Sequence, residues 1–166
     1  SAPLLRRERE KGARVNSLTN YIFIVSSICG GQGSAIFDDV AYLIRDIIKD
    51  NFTDEFQVIG ILVLPSPFRS GSTSAEMEIQ RANSYGAMKE LDYYMASKKF
   101  KTIYSVKPDP AIDVSFDDKK PFDFVFLVSG DSNTKEKYSK EDVESIVGES
   151  IVSYVGMSEN SRMFTN

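Results

Sequence analysis

The chain has 166 residues, enough for one modest domain, and its 42% apolar and 27% charged content is ordinary for a globular protein. Its formal net charge of -4 argues against a nucleic-acid binder, which usually carries a basic face. The absence of histidine excludes Ser-His-Asp catalysis and His-ligated metal sites, and the single cysteine, Cys29, excludes an internal disulfide.

The distribution of charged and apolar residues predicts three segments. Residues 1–16 form a charged N-terminal segment, residues 17–155 form the domain, and residues 156–166 form a tail without periodicity. No apolar run approaches the roughly 20 residues that a membrane span requires, so no membrane contact is expected. The lone cysteine fits a reducing, cytoplasmic compartment.

The predicted elements alternate between strands and helices. Apolar runs rich in aromatic and β-branched residues predict buried strands at 21–28, 57–65 and 122–130. A helix follows each strand, and the first has an apolar stripe of Phe37, Val40, Ala41, Ile44, Ile47 and Ile48. The charged residues off that stripe, which we expect on the solvent side, are Asp38, Asp39, Arg45, Asp46 and Lys49. The second and third helices are predicted at about 76–98 and 139–154.

This order predicts an α/β protein of three layers, in which a Rossmann-like, mostly parallel sheet carries helices on both faces. A short extra strand is predicted at 101–106, and the proline- and aspartate-rich residues 107–121 are predicted to be a loop. Ligands of such sheets bind at the carboxyl ends of the strands. The candidate site loops are therefore residues 29–35, 65–75 and 130–138.

The first of these loops, CGGQGSA at residues 29–35, joins a predicted strand to a predicted helix. Glycines there let the backbone approach a phosphate closely, and the first N–H groups of a helix carry partial positive charge. The loop has neither Walker nor dinucleotide-fingerprint spacing. Two interpretations stay open from these residues alone, a phosphate-binding loop or a tight turn between strand and helix.

The loop and its surroundings resemble the tubulin/FtsZ superfamily, whose signature G-G-G-T-G-S/T-G lies between a strand and a helix. The segments VIGILVLPSPF, RANSYGAMKELDYYM and PFDFVFLVSGDSNT resemble the strand, helix and strand that follow. The resemblance covers roughly residues 16–155 and is nearest to the bacterial tubulin-like group. The family's first strand and its acidic loop have no counterpart, so the nucleotide-binding domain looks incomplete, and we expect these residues to belong to a longer protein.

The resemblance implies that the loop holds the phosphates of GTP or GDP, with Mg²⁺ accompanying the triphosphate. Carried over by position, the phosphate-binding residues are Gly30, Gly31, Gln32, Gly33 and Ser34. Three residues depart from the family pattern. Gln32 replaces the usual Thr, Ala35 the last Gly, and Cys29 the first. The lost Thr hydroxyl removes one phosphate donor, which weakens the expectation of GTP turnover more than that of binding.

The same resemblance implies that Asn133, Tyr138 and Asp142 contact the nucleoside, with the carboxylate of Asp142 favouring guanine over adenine. The residues alone allow another interpretation, because Ser139 and Asp142 have the spacing of a helix cap and Tyr138 that of a hydrophobic staple. The resemblance also implies that Glu78 and Arg81 contact the ribose or the phosphates. From the residues alone, both could equally be solvated side chains near the start of a helix.

The predicted function is that of a guanine-nucleotide-binding, cytoskeletal tubulin-like protein that assembles with copies of itself. The resemblance implies a GTPase, but the acidic hydrolysis loop is absent from this sequence, and no catalytic residue or protein ligand for a metal is assigned. Two alternatives stay open. One is a tubulin-like scaffold that does not hydrolyse GTP, and the other is an unrelated Rossmann-like enzyme acting on a small molecule.

Overall fold

A computed structural model describes residues 20–52, 55–97, 99–104, 112–133 and 137–163. The elements in chain order are β1 (Asn20–Ser27), α1 (Gly31–Asn51), β2 (Phe56–Val63), a 3-10 helix (Ser66–Gly71), α2 (Ser74–Ser97), β3 (Phe100–Tyr104), β4 (Ile112–Phe116), β5 (Phe124–Val128) and α3 (Lys140–Met163). None of the helices in this described part of the chain is long and apolar enough to cross a membrane.

A parallel three-stranded sheet in the order β1-β2-β5 lies at the centre of the fold. The connections from β1 to β2 and from β2 to β5 both move to the next strand in the same direction across the sheet. Because such parallel connections are right-handed, α1 and α2 lie on one face of the sheet. Phe37 of α1 and Leu91 of α2 pack there against Val58 and Leu62 of β2. Helix α3 covers the opposite face, so the predicted three-layer α/β fold is confirmed.

An antiparallel hairpin of β3 and β4 lies outside this sheet and covers α1. Tyr42 of α1 is fully buried beneath it, stacked on Phe100 with 3.8 Å between ring centroids. The prediction of a loop over 107–121 was therefore wrong for residues 112–116, which form β4. The strand alternates apolar and polar residues, but its apolar side becomes buried only because α1 offers an aromatic surface.

Helix α1 is buried on more sides than its apolar stripe predicts. Asp38 and Arg45, predicted on the solvent side, are each only 6% exposed, whereas Ile47 of the apolar stripe is 56% exposed. The prediction assumed one covered face. In the structure, α1 is covered by the sheet and α2 on one side and by the hairpin on the other.

Helix α3 ends at Met163 rather than near Tyr154, and it continues through most of the predicted tail 156–166. No proline interrupts residues 155–163, and a single glycine such as Gly156 costs a helix only about 1 kcal/mol. The absence of apolar periodicity therefore did not mark the end of the helix.

The edge strand β5 is less covered than its continuous apolar run suggested. Phe124 and Phe126 are each about half exposed, although both lie on the face that α3 covers elsewhere. Helix α3 crosses over β1 instead, where the ring of Tyr154 lies 5.3 Å from Tyr21 and 5.7 Å from Phe23. The apolar run therefore predicted the strand correctly but not its burial on both faces.

Candidate functional site

The carboxyl end of β1 leads into the N-terminus of α1, and this junction is the candidate site. Gly30 is the N-cap residue, with φ -89° and ψ 159°, and no side chain caps the helix. The N–H of Ser34 donates the first intrahelical hydrogen bond, to the carbonyl of Gly30 at 3.1 Å. The N–H groups of Gly31, Gln32 and Gly33 therefore have no acceptor within the helix. The first turn of α1 contains no acidic residue, so these donors and the helix dipole favour an anion.

The glycines of this loop have two different roles. A Cβ atom on Gly33 would lie 2.1 Å from the carbonyl oxygen of Ser27, so only glycine allows α1 to start so close to β1. A Cβ on Gly30 or Gly31 would meet nothing within 4 Å. Gly33 is therefore a structural residue that allows the close approach of α1 to β1, while Gly30 and Gly31 leave open space at the start of the helix.

Ser34, a predicted phosphate-binding residue, is turned into the loop. Its hydroxyl donates to the carbonyl of Gly30 at 2.7 Å, and its N–H is bonded to the same oxygen. The side chain is only 9% exposed. Both donors of Ser34 thus stabilise the start of α1, and neither faces the open space beside Gly31.

Helix α2 holds the residues that precede the glycines. The amide of Asn83 donates to the carbonyl of Cys29 at 2.9 Å, and the hydroxyl of Ser84 donates to the carbonyl of Ile28 at 3.1 Å. Neither Asn83 nor Ser84 was predicted as a site residue. Their only sequence signal is a pair of polar residues on the side of α2 that faces the sheet, and this pattern is common at helix surfaces.

The loops after β2 and β5 are joined by polar contacts at the same edge of the sheet. The hydroxyls of Ser66 and Ser129 lie 2.9 Å apart, and the N–H of Gly130 donates to Ser66 at 2.7 Å. Arg69 forms an ion pair with Asp131 at 3.0 Å.

A cavity of about 190 Å³ opens beside these contacts. Arg81, a predicted ribose or phosphate residue, lines it, together with Gln80 and Met77 of the same helix. Glu78, predicted with Arg81, is exposed on α2 and does not line the cavity. The structure therefore brings Arg81, but not Glu78, to the loops after β2 and β5.

The predicted nucleoside residues lie at the β5–α3 connection. Asn133 is exposed beside residues 134–136, which lie outside the described ranges. Tyr138 packs on the cluster that contains Val143, as a hydrophobic staple does. The carboxylate of Asp142 accepts hydrogen bonds from the N–H and the hydroxyl of Ser139, both at 2.9 Å. The contacts of these three residues with a nucleoside stay a prediction.

The hydrogen bonds between Ser139 and Asp142 form a capping box. The N–H of Asp142 donates back to the Ser139 hydroxyl at 3.2 Å. The backbone bond from Ser139, and then its hydroxyl, lower the pKa of Asp142 below its usual value. This stabilisation is therefore present at neutral pH and is lost as the pH falls through the folded-state pKa.

Replacing Ser139 by alanine should lower the free energy of unfolding by about 1 kcal/mol, because the exposed start of α3 loses its cap. Urea denaturation at pH 7 measures this loss. The variant keeps the carboxylate of Asp142, whereas Asp142→Ala removes both the cap and the carboxylate. An unchanged unfolding midpoint for Ser139→Ala would contradict the capping role.

Comparison with known proteins identifies the family of this chain. A sequence model of the family described as tubulin-like matches residues 4–165. No curated protein and no solved structure matches the chain. The family match spans the glycine loop, all three parallel strands and the three described α-helices, and it confirms the resemblance found in the sequence. The chain belongs to the tubulin-like family.

Proposed function

We propose that this chain binds a guanine nucleotide through the 29–35 loop and takes part in the assembly of a tubulin-like cytoskeletal polymer. The observation that carries the proposal is the N-terminus of α1. It presents three N–H groups without helical acceptors, no acidic side chain in its first turn, and open space beside Gly30 and Gly31. Membership in the tubulin-like family supports a nucleotide as the anion that occupies this space.

The order of the strands supports the placement of the rest of the nucleotide. The start of α1 follows β1, and the segment from Asn133 to Asp142 in the first turn of α3 follows β5, with only β2 between them. Two strand spacings amount to about 10 Å, a span that a nucleotide covers from phosphate to base. We place the phosphates at the N–H groups of residues 31–33 and the base near Asp142.

Binding without hydrolysis is a second candidate function, and the loop favours it. Gln32 replaces the usual Thr, and the hydroxyl hydrogen of Ser34 is already donated to Gly30. The loop therefore offers a phosphate N–H groups but no free hydroxyl.

Within the described ranges, no cluster of three or more acidic or cysteine side chains could hold a metal ion. Mg²⁺ would neutralise charge on the phosphate oxygens and would be held mainly by them. A cytoplasmic location, where guanine nucleotides are abundant, belongs to the same proposal.

The test is thermal melting of the chain with GTP, GDP or ATP in the presence of Mg²⁺. GTP and GDP should raise the melting temperature and ATP should not, since a ligand at 100 times its Kd stabilises the native state by about 2.7 kcal/mol. Gly31→Val should abolish the shift by filling the open space before α1.

The matched control is Gly148→Val, at a glycine of α3 where an added Cβ would likewise meet nothing within 4 Å. This variant should keep the wild-type response to GTP. If no nucleotide shifts the melting temperature of the wild type, the loop is a structural turn only. A GTP shift without released phosphate would favour the non-hydrolysing scaffold.

A further inference from the structure

An acidic side chain without a hydrogen-bond partner is buried where α1 meets α2. Asp38 is 6% exposed, and within the described part of the chain neither of its carboxylate oxygens has a partner. Glu90 of α2 and the adjacent Asp39 both interact with it electrostatically. A buried carboxylate that is unpaired and faces two further acids is strongly unfavourable, so this position favours the neutral, protonated acid.

Among the described residues, the charged neighbours that shift the pKa of Asp38 are acids and not cations. The titratable groups that interact with it are Asp39 and Tyr42 of α1 and Glu90 and Tyr94 of α2. One step further away, Arg45 interacts with Tyr42, and Tyr104 of β3 donates a hydrogen bond to Asp39. Arg45 is the only cation among them, and its guanidinium is bonded to the carbonyl of Pro121 and to Asp123. Burial, then Glu90, then Asp39 raise the pKa of Asp38 to about 7.

Both helices at this contact also hold the glycine loop. Helix α1 rests on β1 through Gly33, five residues before Asp38. Helix α2 holds the carbonyls of Ile28 and Cys29 through Ser84 and Asn83. A charge that forces α1 and α2 apart therefore acts on the two sides of the loop.

We propose that Asp38 is a proton-binding residue that couples the α1–α2 contact, and through it the glycine loop, to pH near neutrality. The coupling to the loop rests on the proposed nucleotide function, whereas the binding of the proton does not. The folded-state pKa is raised above the unfolded value, so between pH 4 and about 7 the folded chain holds a proton that the unfolded chain has lost. This contribution to stability is complete at low pH and falls as the pH rises through that window.

The first test is the melting temperature of the chain between pH 5 and pH 8, without nucleotide. Relative to Asp38→Asn, the wild type should lose at least about 5 °C over this range. The melting temperature of Asp38→Asn should depend much less on pH, because asparagine does not ionise. Asp38→Leu should show the same weak dependence. Its side chain has no polar atom, so it controls for the effect of an unpaired amide in the asparagine variant. Asp50→Asn, at an exposed acid on the same helix, should keep the wild-type slope. Wild-type slopes in both Asp38 variants would overturn the proposal.

The second test is the Kd for GDP at pH 6 and pH 8. The ionisation of GDP itself affects all variants equally. The difference between wild type and Asp38→Asn therefore reports the effect of Asp38 on the Kd. The wild type should lose about fivefold more affinity than the variant between the two pH values. Equal losses would overturn the coupling to the loop, even with the melting profiles as expected. A chain that binds no GDP would overturn both the coupling and the proposed function, while the melting profiles still decide whether Asp38 binds the proton.

Discussion

Replacing Gly33 by alanine is expected to lower the free energy of unfolding by about 3 kcal/mol. The new Cβ would lie 2.1 Å from the backbone oxygen of Ser27 and 2.9 Å from the hydroxyl of Ser26. The hydroxyl can rotate away, but the backbone oxygen belongs to β1 and cannot. Either the strand or the start of α1 must then move, and both are anchored in the main core.

The control for this prediction is alanine at Gly31, which lies in the same helical turn but faces open space. Its stability should equal or slightly exceed that of the wild type, because alanine favours the helix. Urea denaturation of both variants measures the difference. A Gly33→Ala variant as stable as Gly31→Ala would show that the close contact of α1 with β1 is not required.

The second large effect is expected at the ion pair that joins α1 to the segment before β5. Arg45 is 6% exposed, and its guanidinium lies 2.9 Å from a carboxylate oxygen of Asp123. The same oxygen accepts the N–H of Val58 at 2.7 Å, so Asp123 also stabilises β2. Asp123→Ala leaves the buried guanidinium without its counterion and should lower the free energy of unfolding by about 3 kcal/mol. This value is at the lower end for a broken buried ion pair, because the side chain of Asp123 is one-third exposed.

Two comparisons test the origin of this loss. Asp131→Ala breaks the ion pair with Arg69 at the opposite end of β5. Both partners there are nearly half exposed, so the cost should stay below about 1 kcal/mol. Combining Arg45→Met with Asp123→Ala removes the unpaired charge and should recover part of the stability. If Asp131→Ala proves as costly as Asp123→Ala, burial is not the reason for the effect.

The two interpretations of the glycine loop are compatible in the structure. Gly33 has the role of a tight turn, and Gly30 and Gly31 leave the space that an anion needs. A variant at Gly33 should therefore affect stability first, whereas one at Gly31 should affect the proposed nucleotide binding first. Because of this difference, the proposed nucleotide binding can be tested at Gly31 without disrupting the fold.

The local pattern of the sequence determined the three parallel strands, the helices that follow them, and the family. These features depend on neighbouring residues, because a continuous apolar run marks a strand covered by helices and a recurring apolar stripe marks an amphipathic helix. The glycine loop lies within seven consecutive residues, so it could be recognised without knowledge of the fold.

Only the tertiary structure decided which residues surround that loop and which side of α1 is buried. Asn83 reaches Cys29 across 54 residues of sequence, and Arg45 reaches Asp123 across 78. No local periodicity encodes such pairs. The second covered side of α1 likewise requires the β3–β4 hairpin to fold back over Tyr42, and Asp38 is buried only because α2 packs against α1. The sequence specifies which side chains can carry a charge, but the solvation of each one depends on the elements that pack over it.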